Sequence, residues 1–250
     1  MRFSYDGVWA DVLVMTRSNA ALLATLAGVF LFLPSFALWL FSPMPQPPSG
    51  GDGSEGMRFL VDYYRNNWPG MLLVSAVSTF GQAAILSLLL DRKRPTVGEA
   101  LSTAGRLFPM YFLLSIATSL IISVGLVFLL VPGIYLLGRL TVAGPVMVGE
   151  GVGNPTDAIR RSWAYTADFG WRIAGLVLLI ALVGWIALSA ATSVLGVVAG
   201  LALPDGASAV VKAAADALGG AGLALLIAVL SAAIYRQLRG GDAPFKDIFS

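Results

Sequence analysis

The chain has 250 residues, of which 57% are hydrophobic and only 12% charged, with a formal net charge of +2 and a mean hydropathy of +0.81. Soluble domains carry roughly 25% charged residues, so the composition excludes an ordinary soluble fold. The absence of both cysteine and histidine removes disulfides, thiol nucleophiles, Cys/His zinc sites, imidazole bases and the serine–histidine–aspartate triad.

Taken in order, the chain is expected to be mature protein from Met1. Asp6 and Asp11 interrupt any signal-like pattern, and the first apolar run, from Ala20, is long enough to span a bilayer. Residues 7–18 place Val8, Trp9, Val12, Leu13 and Met15 at helical spacing, which predicts a short amphipathic helix on the membrane surface. A first span is expected over 20–41, with Pro34 a point of kinking. Residues 42–56 are rich in Pro, Gly and Ser and read as a flexible outside loop. An aromatic, polar stretch over 57–69 suits a membrane interface and leads into a second span at 70–90.

The run Asp91, Arg92, Lys93, Arg94 stops that span. A second amphipathic stretch at 96–107 precedes a third span at 108–131. Pro132 and Gly133 then read as a turn, or as the mouth of a re-entrant cavity. Residues 134–148 return as a fourth span, short by bilayer standards and interrupted by Gly138, Gly144 and Pro145. A third surface stretch is expected over 155–169, a fifth span over 171–202, a turn with a small Ala-rich helix over 203–219, a sixth span over 220–235, and a polar tail.

The order repeats: surface helix, then two spans. The expected fold class is therefore all-α, a single integral membrane domain over 1–250 with six transmembrane helices in three hairpins. Each hairpin is preceded by a cytoplasmic amphipathic helix, in units of about 7–90, 96–148 and 155–236. With a cytoplasmic N-terminus, the inside segments hold twelve of the 16 Lys and Arg; the outside ones hold Arg58, Arg65 and Lys212, and Arg139 stays in the membrane. Both termini are thus expected to be cytoplasmic.

The segment 129–151, LLVPGIYLLGRLTVAGPVMVGEG, followed by AIRRSW, resembles the glycerophosphoryl diester phosphodiesterase membrane domain and the related YciC-like bacterial multi-span proteins. Pro132, Gly133, Tyr135, Arg139, Pro145, Glu150, Ala158 and Trp163 carry the resemblance, with Gly98–Leu101 and Tyr235–Leu238 in support. It implies a bacterial cytoplasmic (inner) membrane location. In the fused proteins of that family, hydrolysis resides in a separate soluble domain after the membrane part. This chain is expected to be the membrane module without it.

Arg139 is the first site candidate. A charge in hydrocarbon normally faces a cavity, a partner or a head group, so Arg139 either contacts an anionic lipid or solute or snorkels and braces backbone near Pro132. Arg160, Arg161 and Arg172, with Arg92, Lys93 and Arg94, read as a basic collar for anionic lipid and as topology determinants. Glu150 is expected to pair with Arg160 or Arg161. Trp68, Trp163, Tyr165 and Trp171 read as interfacial anchors, and Gln82 as an interhelical hydrogen-bonding group or a cavity liner. No cofactor, metal or nucleic acid is called for, and the enzyme class is set aside. The expected function is non-catalytic: a protein that binds or organises anionic lipid or a membrane complex, with lipid, a membrane protein or a second copy as partner. The alternative is a small transporter or channel for a lipid-like or amphipathic solute.

Overall fold

The computed structural model describes residues 3–42, 53–91 and 95–240. Arg92, Lys93, Arg94, most of the loop expected at 42–56, and the tail after residue 240 lie outside the described residues. Among the described residues the chain is helical throughout, with α1 Tyr5–Ser18, α2 Ala20–Ala27, a π-turn at Gly28–Phe32, α3 Leu33–Phe41 and α4 Gly53–Leu90. There follow α5 Val97–Phe128, α6 Leu130–Leu140, α7 Ala143–Glu150, α8 Pro155–Tyr165, α9 Gly170–Ala202 and α10 Asp205–Leu238. Six of these segments are long and apolar enough to cross a bilayer: 20–41, 55–90, 97–128, 130–150, 170–202 and 206–238. The protein is a multi-pass membrane protein.

Local chemistry sets the helix ends. Ser4 caps α1 by accepting from the Gly7 amide, and Asp6 and Arg17 complement the helix dipole at its two ends. Thr96 and Glu99 form a reciprocal capping box at the start of α5: the Glu99 amide donates to Thr96 Oγ1 at 3.3 Å and the Thr96 amide to Glu99 Oε2 at 2.7 Å. In the first span, Pro34 has no N–H to give to the preceding turn. The strain is absorbed just upstream, where the turn widens and the Leu33 amide donates to Gly28.

Three expectations are corrected here. The stretch at 96–107 is not a separate surface helix, and the small Ala-rich helix expected within 203–219 is not a separate one; from Val97 and from Asp205 the chain runs unbroken into the following span, as α5 and α10. α5 runs through Pro109 and α10 through Gly219 and Gly220 without a break, and a helix once formed extends at little cost. The outside loop is also shorter than expected, because α4 begins at Gly53. Pro132 and Gly133 do not form the turn. The chain bends one turn earlier, at Leu129 (φ −152°, ψ 106°), and Pro132 and Gly133 sit inside the first turn of α6. Pro132 cannot donate to Phe128, where α5 ends, while the first turn of α6 has no use for that N–H. Pro145 repeats the device: it cannot donate to Thr141, and the fourth span breaks at Thr141 and Val142 into α6 and α7. This span covers 130–150 and is longer than the expected 134–148.

The dense core occupies one end of the bundle. There the last turns of α10, with Ala232, Ala233, Ile234 and Tyr235 all buried, are packed among α1, α4 and α7. Both described ends of the chain meet at this pole, where the Ser4 amide donates to Gln237 Oε1 at 3.4 Å and Phe3 stacks on Phe169. The opposite pole is loosely packed. Val127, Phe128, Leu130 and Leu201 there are largely exposed, apolar surface that only lipid would cover favourably.

Candidate functional site

The centre of interest is Arg139. Tyr135 and Arg139 are one helical turn apart on the same face of α6. That face meets the start of α9 at Gly138, which lies so close to the Gly170 carbonyl and Ala174 that any side chain at 138 would collide. The approach lays the aliphatic arm of Arg139 across Gly170 and brings its guanidinium over two rings. Its Cζ lies 4.3 Å from the Trp163 ring centroid and 5.6 Å from that of Tyr135. Tyr135 in turn meets Trp163 edge-on at 6.2 Å and Trp171 at 5.2 Å.

The box is held from behind. The Arg139 carbonyl accepts from Ser162 Oγ at 2.7 Å and from Thr166 Oγ1 at 3.3 Å, and all three residues are buried. These bonds clamp α8 onto α6, and α8 itself is well started by the Asn154 side chain, which accepts from the Thr156 amide at 3.0 Å.

Arg139 is only 4% exposed, and its Nε and Nη1 are buried with no hydrogen-bond partner. It forms no ion pair among the described residues. Stripping a guanidinium of water without an acceptor is costly. The aromatic faces return part of that cost, about 2 kcal/mol for a desolvated cation–π contact. What the site retains is a planar guanidinium with two donors, Nε and Nη1, that no group among the described residues accepts from.

Glu150, at the end of α7, anchors a second constellation. Its Oε2 accepts from Arg161 Nη1 at 2.6 Å, and its Oε1 accepts from the hydroxyls of Tyr165 at 2.8 Å and Tyr235 at 3.0 Å. One carboxylate thus ties α7, α8 and α10 together. The Tyr165 phenol is pushed above its ordinary range by burial first, and then by its bond to Glu150 and that carboxylate's charge.

The predicted site residues therefore separate. Arg161 rather than Arg160 is the partner of Glu150; Arg160 makes a 3.6 Å pair with Asp157 while its side chain stays 80% exposed. Arg172 lies exposed in the first turn of α9. Pro132 and Pro145 place the two ends of α6, and Gly133 lies against the backbone of Gly125 and Leu126. Trp163, expected only as an interfacial anchor, lies on the arginine, and Trp171 packs behind it on Tyr135. The Tyr135–Arg139 spacing was the one sequence signal for that arrangement. Nothing local in the sequence signals Tyr165 and Tyr235 meeting on Glu150.

Fold and site together define a polytopic α-helical membrane protein with one buried, unpaired arginine in an aromatic box. Compared with protein-family models, curated proteins and solved structures, the chain matches none.

Proposed function

We propose that the protein is a non-catalytic module of the bacterial inner membrane that binds an anionic lipid through Arg139. The observation that carries this reading is the buried guanidinium whose Nε and Nη1 have no acceptor. A phosphodiester oxygen supplies the missing acceptor and charge, and arginine is the cation best suited to phosphate geometry. Exposed Trp163 and Trp171 suit the head-group layer, where an aromatic ring can be apolar on one side and wet on the other. In this reading the pole bearing Arg17, Arg160, Arg161, Arg172, Arg236 and Arg239 faces the cytoplasm, with both termini, and Arg160 and Arg172 add non-specific attraction to the anionic leaflet. The three-hairpin plan and kinship with the glycerophosphoryl diester phosphodiesterase membrane domain belong to the same proposal. Support for the kinship is that Pro132, Arg139, Pro145 and Glu150 of the shared motif each hold a distinct structural post.

The test is native mass spectrometry of protein released gently from vesicles of mixed phosphatidylglycerol and phosphatidylcholine. Wild type should keep phosphatidylglycerol selectively, and Arg139→Gln should lose that selectivity. Equal retention by both would sink the lipid assignment.

A second reading, a small transporter or channel for a lipid-like solute, is favoured by one observation. The fourth span is broken at Thr141 and Val142 beside a cavity of about 440 Å³. On the cysteine-free background, Leu137→Cys and Thr141→Cys should react with a water-soluble thiol reagent if that cavity is a wet pathway. Lack of reaction at both would remove this reading.

A further inference from the structure

We infer that the cavity among α4, α5, α6, α7, α9 and α10 is a binding site for a neutral aliphatic alcohol. Its volume, about 440 Å³, falls in the range of small-molecule sites. Its wall includes no charged residue and is mostly aliphatic, with Leu86, Leu114, Ile122 and Val177 contributing. An ion would enter it uncompensated, so a charged head group is excluded on energetic grounds.

The polar groups on the wall divide into two kinds. Thr118, Thr141 and Ser231 turn their hydroxyls back onto their own helices, donating to Leu114, Leu137 and Ala228 at 2.9, 2.6 and 2.8 Å. Tyr111, Gln82, Ser115 and Ser119 do not: among the described residues none of these side chains has a hydrogen-bond partner. Tyr111 is 7% exposed and still unpartnered. Gly144 keeps its place open, since a Cβ there would stand 3.0 Å from the phenolic oxygen. The Tyr111 hydroxyl is reachable from the cavity rather than sealed in the protein, so the cavity is where its partner fits. A hydroxyl both accepts, from Tyr111, and donates, to the Gln82 carbonyl, so an alcohol satisfies both and leaves no polar atom of its own unmet.

This site is independent of the anion reading at Arg139. Leu137, Leu140 and Thr141 line the cavity, whereas Tyr135 and Arg139 face the aromatic box from another side of α6. Two sources of such an alcohol are distinguishable, a linear fatty alcohol and a branched isoprenoid one.

The experiment uses the full chain in phosphatidylcholine vesicles with two photoreactive probes, a ten-carbon linear alcohol and a geraniol analogue, each bearing a chain diazirine. Adducts from at least one probe should map to cavity residues such as Leu114, Ile122 and Leu137. The probe that labels identifies the source. Excess 1-decanol should displace that probe, while decane and decanoate should not. Tyr111→Phe, which keeps the shape, should raise the displacing concentration about tenfold, and Gln82→Leu should act in the same direction. Adducts confined to outward residues such as Leu113 and Leu120 would overturn the inference. So would displacement by decane as strong as by decanol with no response to Tyr111→Phe.

Discussion

A guanidinium inside a membrane protein must be compensated, and at Arg139 the compensation visible in the protein is aromatic rather than ionic. Trp163 is the nearer ring, at 4.3 Å, so its loss should matter more than that of Trp171, which touches Tyr135 and not the cation. Trp163→Ala is expected to cost about 1–2 kcal/mol more than Trp171→Ala, read as the difference in thermal midpoints in one detergent. The Glu150 cluster makes a prediction in pH. Tyr165 donates to that carboxylate, and its phenol is raised above the ordinary value of 10.0. A raised acid of this kind contributes stability that is complete below pH 10 and is lost as pH climbs through the raised value. Thermal midpoints should therefore fall more steeply above pH 10 in wild type than in Tyr165→Phe; parallel curves would detach Tyr165 from alkaline stability. Half of this was legible in the chain. Arg139 stands out because a charge in an apolar run is rare, and Tyr135 one turn before it is on the same face. The opposing rings come from α8 and α9, and no periodicity within α6 reports what a later helix brings to it.

At the level of elements, apolar run length located all six spans, because crossing a bilayer imposes a length that core packing does not. Helix continuity was read less well. Polar or Ala-rich composition before the third and sixth spans suggested separate helices, yet composition alone does not break a hydrogen-bonded ladder, and α5 and α10 run through. Proline does not always break it either, since α4 and α5 run through Pro69 and Pro109, but the two breaks that bound α6 each lie one turn before a proline. The missing N–H groups of Pro132 and Pro145 match the breaks at Leu129 and Val142, so the bend precedes Pro132 rather than falling on Pro132 and Gly133. The resulting α6 is a short rod whose position depends on its contact with α9 at Gly138 and Gly170. Gly138→Ala should force these helices apart, at about 1–3 kcal/mol, and move the Arg139 side chain off Trp163. The check is twofold: a lower thermal midpoint, and a shift of tryptophan fluorescence that Trp163→Phe abolishes. A midpoint drop without that shift would mean that the box does not depend on the α6–α9 approach.

For the molecule as a whole, packing and charge point along one axis. The pole where α1, α8 and the end of α10 meet is densely buried and carries Arg17, Arg160, Arg161, Arg172, Arg236 and Arg239, whereas the loose pole carries Arg58, Arg65 and Lys212. In the proposed orientation, which retention of Lys and Arg on the cytoplasmic side during insertion supports, the dense pole, the Glu150 cluster and the Arg139 box lie on the side of the anionic leaflet. If the chain were inverted, Arg139 would meet the opposite leaflet and the exposed arginines of α8 and α9 would lose their electrostatic role. The absence of cysteine makes the test direct. Thr156 and Ala209 are both exposed, at the dense and the loose pole respectively. In intact cells whose outer barrier has been removed, a membrane-impermeant maleimide should label Ala209→Cys at once and Thr156→Cys only after permeabilisation. The reverse order would turn the molecule over and take the lipid assignment at Arg139 to the outer leaflet. Labelling of both before permeabilisation would mean that the two poles do not lie on opposite sides of the bilayer, and the six helices would have to be reassigned as spans.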